Sequence, residues 1–187
     1  YLIDEEIKKG SNGRIVMKMN SVTDVDFIQK VSEASRSGVK VDLIVRGICC
    51  ILPGVTGYTD NVRVMSVVGR YLEHPRIFSF GSENDQKIYI GSADMMTRNT
   101  EKRVEVAAPI LDQDIRRQIN HYLKVMLSDN VKARVLGSDG KYRCKEQKEP
   151  YIDSQNVFMQ EALQAKPPQE VPEKIGLLKK IKRIFHR

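Results

Sequence analysis

The stretch from Arg14 to Val45, RIVMKMNSVTDVDFIQKVSEASRSGVKVDLIV, decides the fold. Arg14 to Met19 reads as a strand, and Val39 to Val45 as a second, strongly apolar one. Between them Val25, Phe27, Ile28, Val31 and Ala34 form an apolar helix face, with Asp24 or Thr23 to cap it and Gly38 to stop it. A strand, a crossover helix and a strand make a parallel pair with a right-handed connection the expected unit.

Outward from this unit, Ile3 and Ile7 belong to a short helix that ends at the Gly10-Ser11-Asn12-Gly13 turn. On the other side Gly47 to Gly57 is a loop, and Val62 to Val68, Ile77 to Phe80, Lys87 to Ile90 and Arg103 to Ile110 are further strands. Asp112 to Leu127 is a helix with Ile115, Ile119, Tyr122, Leu123 and Met126 on one stripe. Gly137-Ser138-Asp139-Gly140 then joins Ala133–Leu136 to Lys141–Cys144 as a hairpin, and Ser154 to Gln164 is helical. The expected fold class is α/β: a mixed, largely parallel sheet flanked by helices. Residues 1–165 form its one domain, and Pro167, Pro168 and Pro172 mark a linker in a 166–187 tail.

Composition narrows the function. The 187 residues carry a formal charge of +7, yet Lys166 to Arg187 holds seven Lys and Arg against two Glu. The basic balance is therefore mostly a property of the tail, and it does not make the globular part a nucleic-acid binder. Without Trp, and with 6 % aromatic residues, stacking on single strands is disfavoured. No apolar run is long enough to cross a bilayer. Three cysteines build no disulfide framework, and adjacent Cys49 and Cys50 suit a reducing, cytoplasmic compartment. In the tail Ile175, Leu178, Ile181 and Phe185 recur opposite Lys179, Lys180, Lys182 and Arg183, a pattern for a solvated tail or for peripheral contact with an anionic membrane. The opening residues lack Met and read as a helix already under way, so the chain is expected to be part of something longer.

Phosphate-loop, dinucleotide-loop, Cys-x-x-Cys and His-Glu-x-x-His patterns are all missing from the sequence. What remains is a change in the kind of cation. Six Arg and two Lys lie between Arg46 and Arg103, and guanidinium forks hold phosphate bidentately. Arg46 follows the apolar strand at its carboxyl end, where open α/β sheets collect ligands. His74 sits between Arg70 and Arg76 in Gly69-Arg70-Tyr71-Leu72-Glu73-His74-Pro75-Arg76. An imidazole there can exchange a proton or steady the charge of a transferring phosphoryl group, and it can equally be a plain turn residue. Gly91-Ser92 ends a short strand in a turn whose N–H groups suit an anion, a weak signal by itself.

Three segments taken together, Leu43 to Val55 (LIVRGICCILPGV), Val67 to Ile77 (VVGRYLEHPRI) and Tyr89 to Asn99 (YIGSADMMTRN), closely resemble the C-terminal part of bacterial polyphosphate kinases. Lys18-Met19-Asn20-Ser21 and Arg103-Val104-Glu105-Val106 fit the same pattern, and the resemblance runs from about Leu2 to Tyr151. It implies a phospholipase-D-like fold, one of two such halves facing each other across an active site. The implied activity is reversible transfer of the terminal phosphate of ATP to inorganic polyphosphate, through a phosphohistidine, with magnesium. By position, Arg46 matches an arginine that contacts the nucleotide phosphates, and His74 matches the histidine of this half that lies near them. Arg70, Arg76, Ser92 and Arg98 are further candidate phosphate contacts, and no metal ligand is assigned. The phosphorylated histidine belongs to the preceding half, absent from this sequence. ATP, ADP, polyphosphate, that preceding half and a homo-oligomeric mate are therefore the implied partners.

One departure qualifies the phospholipase-D likeness: Arg76 stands where a lysine is usual, and Gly81 where an aspartate is. Two other readings remain at this stage. One is a phosphodiesterase in which His74 attacks phosphorus, aided by a mate's histidine and by Lys87. The other is a polyanion-binding module without catalysis.

Overall fold

A computed structural model describes residues 1–82 and 85–165, so the 166–187 linker and tail lie outside the described residues. The chain runs α1 (Leu2–Lys9), a 3-10 turn at Gly10–Asn12, β1 (Arg14–Met19), α2 (Val25–Arg36), β2 (Lys40–Val45), β3 (Val62–Ser66), β4 (Arg76–Phe80) and β5 (Lys87–Gly91). It continues through α3 (Thr97–Glu101), β6 (Ala107–Pro109), α4 (Gln113–Ser128), β7 (Arg134–Leu136), β8 (Tyr142–Cys144) and α5 (Ser154–Gln164).

Eight strands form one sheet in the order β6-β5-β4-β1-β2-β3-β7-β8. The strand–helix–strand unit forms as expected: β1 pairs parallel with β2, Met17 opposite Leu43, and β2 pairs parallel with β3. Asp24, not Thr23, caps α2 by accepting from the Phe27 N–H. The expectation of a largely parallel sheet is corrected, because the other five pairings are antiparallel. Among the named strands, parallel pairing is confined to β1, β2 and β3. β4 enters beside β1 in the opposite sense, and the short 81–86 connection from β4 to β5 leaves no room for the crossover that parallel pairing needs. Two strands are also shorter than expected. Val67 and Val68 leave the sheet after Ser66, and Arg103 to Val106 precede β6 without joining it, leaving a strand of three exposed residues.

Strand β1 is central, so both of its faces are buried. Ile15, Met17 and Met19 pack with Val31, Ala34, Leu43 and Val45 under α1 and α2. Val16 lies on the opposite face with Ile44, Met65, Ile77, Leu123 and Met126, covered by α4 and by Phe158 of α5. Full burial of an aliphatic side chain is worth about 1.5–3 kcal/mol, so these two layers supply the main stabilisation. One edge of the sheet gathers the carboxyl ends of β1, β2, β3 and β5 and the amino end of β4, as the registers Met19↔Val45, Lys18↔Ile77 and Arg76↔Gly91 require.

The two C-terminal helices are tied down by one carboxylate. Asp129, fully buried, accepts from the N–H groups of Val131, Lys132 and Ala133 and from both N–H and hydroxyl of Ser154. Burial alone would raise its pKa, but the Ser154, Lys132 and Ala133 bonds outweigh burial and hold it below the usual range. Asp129→Ala leaves these donors unpaired and is expected to cost about 3 kcal/mol. Urea unfolding followed by circular dichroism measures this, and a loss under 1 kcal/mol would show that the knot contributes little.

Candidate functional site

Five side chains meet at the gathered edge of the sheet. Arg46, the first residue after β2, donates from Nε and Nη2 to Asn20 Oδ1 at 3.0 and 2.8 Å. Asn20, the residue after β1, donates its backbone N–H to Asp94 Oδ1 at 2.6 Å and its side-chain amide to the same carboxylate at 3.1 Å. Arg76, at the start of β4, donates Nη2 to Asp94 Oδ2 at 3.0 Å and Nη1 to His74 Nδ1 at 2.8 Å. Arg46 and His74, distant in sequence, thus belong to one hydrogen-bonded chain through Asn20, Asp94 and Arg76.

The backbone brings these groups together for local reasons. Gly47 lets the chain turn directly after Arg46, since a Cβ there would lie 2.9 Å from the Asn20 carbonyl. The segment from Val22 bridges to Cys49 on one side and Met95 on the other, which fixes the loops after β1, β2 and β5 against each other. Asp94 is buried, and burial works to raise its pKa, yet Arg76 and Asn20 outweigh that and keep the carboxyl below its ordinary range. A guanidinium only donates, so a neutral His74 ring meets Arg76 with an unprotonated nitrogen; Nη1 lies 2.8 Å from Nδ1 and 3.3 Å from Nε2.

The candidates differ in what they leave available. Arg46 Nη1 makes no hydrogen bond among the described residues, and the side chain lines a cleft of about 380 Å³ with Val68, Gly69, Arg70, Tyr71 and Leu72. Arg70 is exposed, with its guanidinium 5.4 Å from the Tyr71 ring centroid. His74 is exposed in the turn before β4. Arg76 is mostly buried and already committed to Asp94 and His74, so it orients other groups. The Ser92 hydroxyl bonds the Glu105 carboxylate and accepts from the Val106 N–H. Ser92 and Asn99 hold Glu105 below the ordinary carboxyl range, and an anionic neighbour makes the Gly91-Ser92 turn a poor seat for phosphate. Arg98 is exposed on α3, outside the chain of bonds. Lys87 pairs with Glu5 at the start of β5, the opposite edge of the sheet from His74.

Beneath His74 lies Lys18, a group for which the sequence reading had no role. Its side chain is buried, paired with Glu73 Oε2 at 3.7 Å, and Glu73 in turn accepts from the Tyr122 hydroxyl at 2.7 Å and the Gln155 amide at 3.0 Å. Burial lowers the Lys18 pKa to about 8, with Glu73 opposing the fall and Arg46 and Arg76 adding to it. Tyr122 is driven up by burial and by Glu73. A lysine amid the apolar residues of β1 is the signal that could have found it. Among the described residues no group of three His, Cys, Asp or Glu could hold a metal ion, and both Asp94 oxygens are engaged. These residues do not fit a magnesium site.

The geometry has counterparts. A sequence model of "Polyphosphate kinase C-terminal domain 2" matches residues 2–155. The chain is 54 % identical over 144 residues to the polyphosphate kinase of Bacillus cereus, covering 75 % of this chain and 20 % of that protein. It is 42 % identical over 179 residues to polyphosphate kinase 1 of Chlorobaculum tepidum, covering 94 % of this chain and 26 % of the relative. The crystal structure of the polyphosphate kinase from Porphyromonas gingivalis superposes with a TM-score of 0.82 at 38 % identity, covering 87 % of this chain and 26 % of that one. The phospholipase D family member Nuc from Salmonella typhimurium shares the fold alone, with a TM-score of 0.52 at 15 % identity over 73 % of this chain and 90 % of Nuc. The chain thus spans a fifth to a quarter of the length of these curated relatives. By sequence and by fold, it belongs to the polyphosphate kinase family, as that family's second C-terminal, phospholipase-D-like domain.

Proposed function

We propose that this chain supplies one wall of a polyphosphate kinase active site, with residues 1–165 as the domain and 166–187 as a linker and basic tail. The observation that carries the reading is the bonded chain Arg46–Asn20–Asp94–Arg76–His74 at one sheet edge. Phosphoryl transfer needs positioning and charge neutralisation more than new covalent chemistry from side chains. Arg46, with Nη1 unengaged beside a cleft, takes an oxygen of the transferring phosphate, and exposed Arg70 on the same cleft takes a neighbouring one. His74 serves as general acid/base or as imidazolium stabiliser. Its ring is held against the Arg76 guanidinium.

The reaction assigned to the whole enzyme has two displacements. An imidazole of the preceding half bonds to the terminal phosphorus of ATP as the bridging P–O bond breaks and ADP leaves. The terminal oxygen of a polyphosphate chain then attacks that phosphorus, the N–P bond breaks, and the chain grows by one phosphate. ATP, ADP, polyphosphate and the preceding half are the partners on this reading, with magnesium bound by groups outside this chain. A homo-oligomeric mate and a cytoplasmic setting fit the same assignment, and the basic tail suits peripheral membrane contact. No helix among the described residues is long and apolar enough to cross a membrane.

The phosphodiesterase reading has less support here. Lys87, the lysine it needs, lies at the far edge in a pair with Glu5, and Arg76 is occupied by Asp94.

In a full-length polyphosphate kinase carrying this domain, Arg46→Ala or His74→Ala is expected to lower turnover about a hundredfold or more, the usual loss on removing one preorganised donor. Polyphosphate synthesis from ATP is the assay, and wild-type rates in both variants would refute the assignment. Cleavage of a phosphodiester dye by the chain alone would favour the phosphodiesterase. A second prediction concerns Asp94. Its folded pKa is held below the ordinary 3.8, so the stability it contributes is complete above that pH and is lost as pH falls below it. Asp94→Asn turns an amide toward Arg76 and should cost about 3 kcal/mol at pH 7, with a smaller further loss at pH 3 than the parent shows. Urea titrations at both pH values measure this. Equal stability of the two proteins at pH 7 would show that the carboxylate does not organise the site.

A further inference from the structure

Lys18 is a buried cation that the phosphate contacts leave unexplained. It lies on β1, on the face shared with Val16, and is 1 % exposed. Its ammonium donates to the Glu73 carbonyl at 3.2 Å and to the Pro75 carbonyl at 3.5 Å. Those are the two residues on either side of His74. Taking an ammonium out of water costs several kcal/mol even after relaxation, and an apolar side chain of similar volume avoids that cost. Stability alone is therefore a weak reason for a lysine here.

Between β3 and β4 no residue is in a helix or strand, so side chains from other elements hold this segment; the His74 N–H donates to the Leu72 carbonyl at 3.2 Å and its carbonyl accepts from Arg76 Nη1 at 3.3 Å. Glu73 is held from two more directions, by Tyr122 of α4 and by Gln155 of α5, and Gln155 also grips both backbone groups of Tyr71. Three layers thus converge on the peptide groups that carry the imidazole.

We propose that Lys18 is a positioning residue for His74: by pinning the carbonyls of Glu73 and Pro75 it holds the imidazole in a single placement against Arg76. The role rests on the reading of His74 given above. The charged and titratable groups acting on the ammonium are Glu73 in the loop, Arg46 at the end of β2, Arg76 at the start of β4 and, through Glu73, Tyr122 on α4. With the Lys18 pKa near 8, the clamp loosens as pH rises through that value, because a neutral amine gives its carbonyl partners a weaker donor.

Two measurements on Lys18→Met, whose side chain keeps the volume, test this. The first is the imidazole 1H–15N spectrum of the chain, which has three histidines, with His121 as internal reference in its 2.7 Å contact with Glu161 of α5. In the variant the His74 signals should broaden or split at temperatures where the protein is folded, while those of His121 stay sharp. The second is steady-state kinetics in a full-length polyphosphate kinase carrying the substitution. There kcat should fall tenfold or more, KM for ATP should stay within twofold, and the alkaline fall in activity expected of the parent above about pH 8 should be absent. Val31→Ala, in the opposite core layer, lowers stability without touching the loop and should change neither readout. Should Lys18→Met prove too unstable, Glu73→Gln keeps both carbonyl contacts and should move the alkaline limb to lower pH without broadening His74. Unchanged His74 signals in Lys18→Met, or the same broadening in Val31→Ala, would overturn the positioning role. Broadened His74 signals with full turnover would instead overturn the assignment of His74 to the reaction.

Discussion

One buried carboxylate holds the functional edge together. Asp94 accepts from the Asn20 backbone, the Asn20 amide and the Arg76 guanidinium, and through them it links the ends of β1 and β2 to the start of β4 and the end of β5. A buried anion is costly unless every lone pair is used, so the geometry around Asp94 tolerates little variation. Arg46 and His74 inherit that rigidity because each bonds directly to a partner of Asp94. Removing the carboxylate would leave Arg76 and Asn20 as unpaired donors, and neither phosphate candidate would keep a defined neighbour.

The same arrangement divides the cations into two groups. Arg76 and Lys18 are spent inside the protein, one on Asp94 and His74, the other on the carbonyls beneath the loop. Arg46 and Arg70 face a shared cleft. A site for a polyanion needs both kinds: committed cations that fix geometry, and free donors that a ligand can claim. On the resemblance drawn from the sequence, Arg76 and Gly81 stand where phospholipase-D proteins usually carry a lysine and an aspartate. The carboxylate that pairs with Arg76 is Asp94, after β5.

Much of this was legible in the sequence. The unit from Arg14 to Val45 forms as its apolar periodicity indicated, Asp24 caps its helix, and Gly137 to Gly140 closes a hairpin between β7 and β8. The largely parallel sheet was not, because periodicity of two is blind to strand direction. The sense of β4 to β6 is set by where the chain re-enters the sheet beside β1. Spacing in sequence also put Lys87 near His74, whereas the sheet sends it to the opposite edge. The Gly91-Ser92 turn looked open to anions until folding brought Glu105 onto the Ser92 hydroxyl. Lys18 stood out only as a lysine amid the apolar residues of β1, and Asp94 carried no comparable signal; the importance of both comes from burial and partners, which only the assembled layers reveal.

The central claim is that Arg46 and His74 address one ligand. The direct measurement is a titration of the chain with tripolyphosphate, following the Arg46 side-chain Nε–H and the His74 ring signals by NMR. The account predicts that both move and saturate together with a single dissociation constant, and that Asp94→Asn uncouples them. Separate constants for the two groups, or movement of only one, would contradict it.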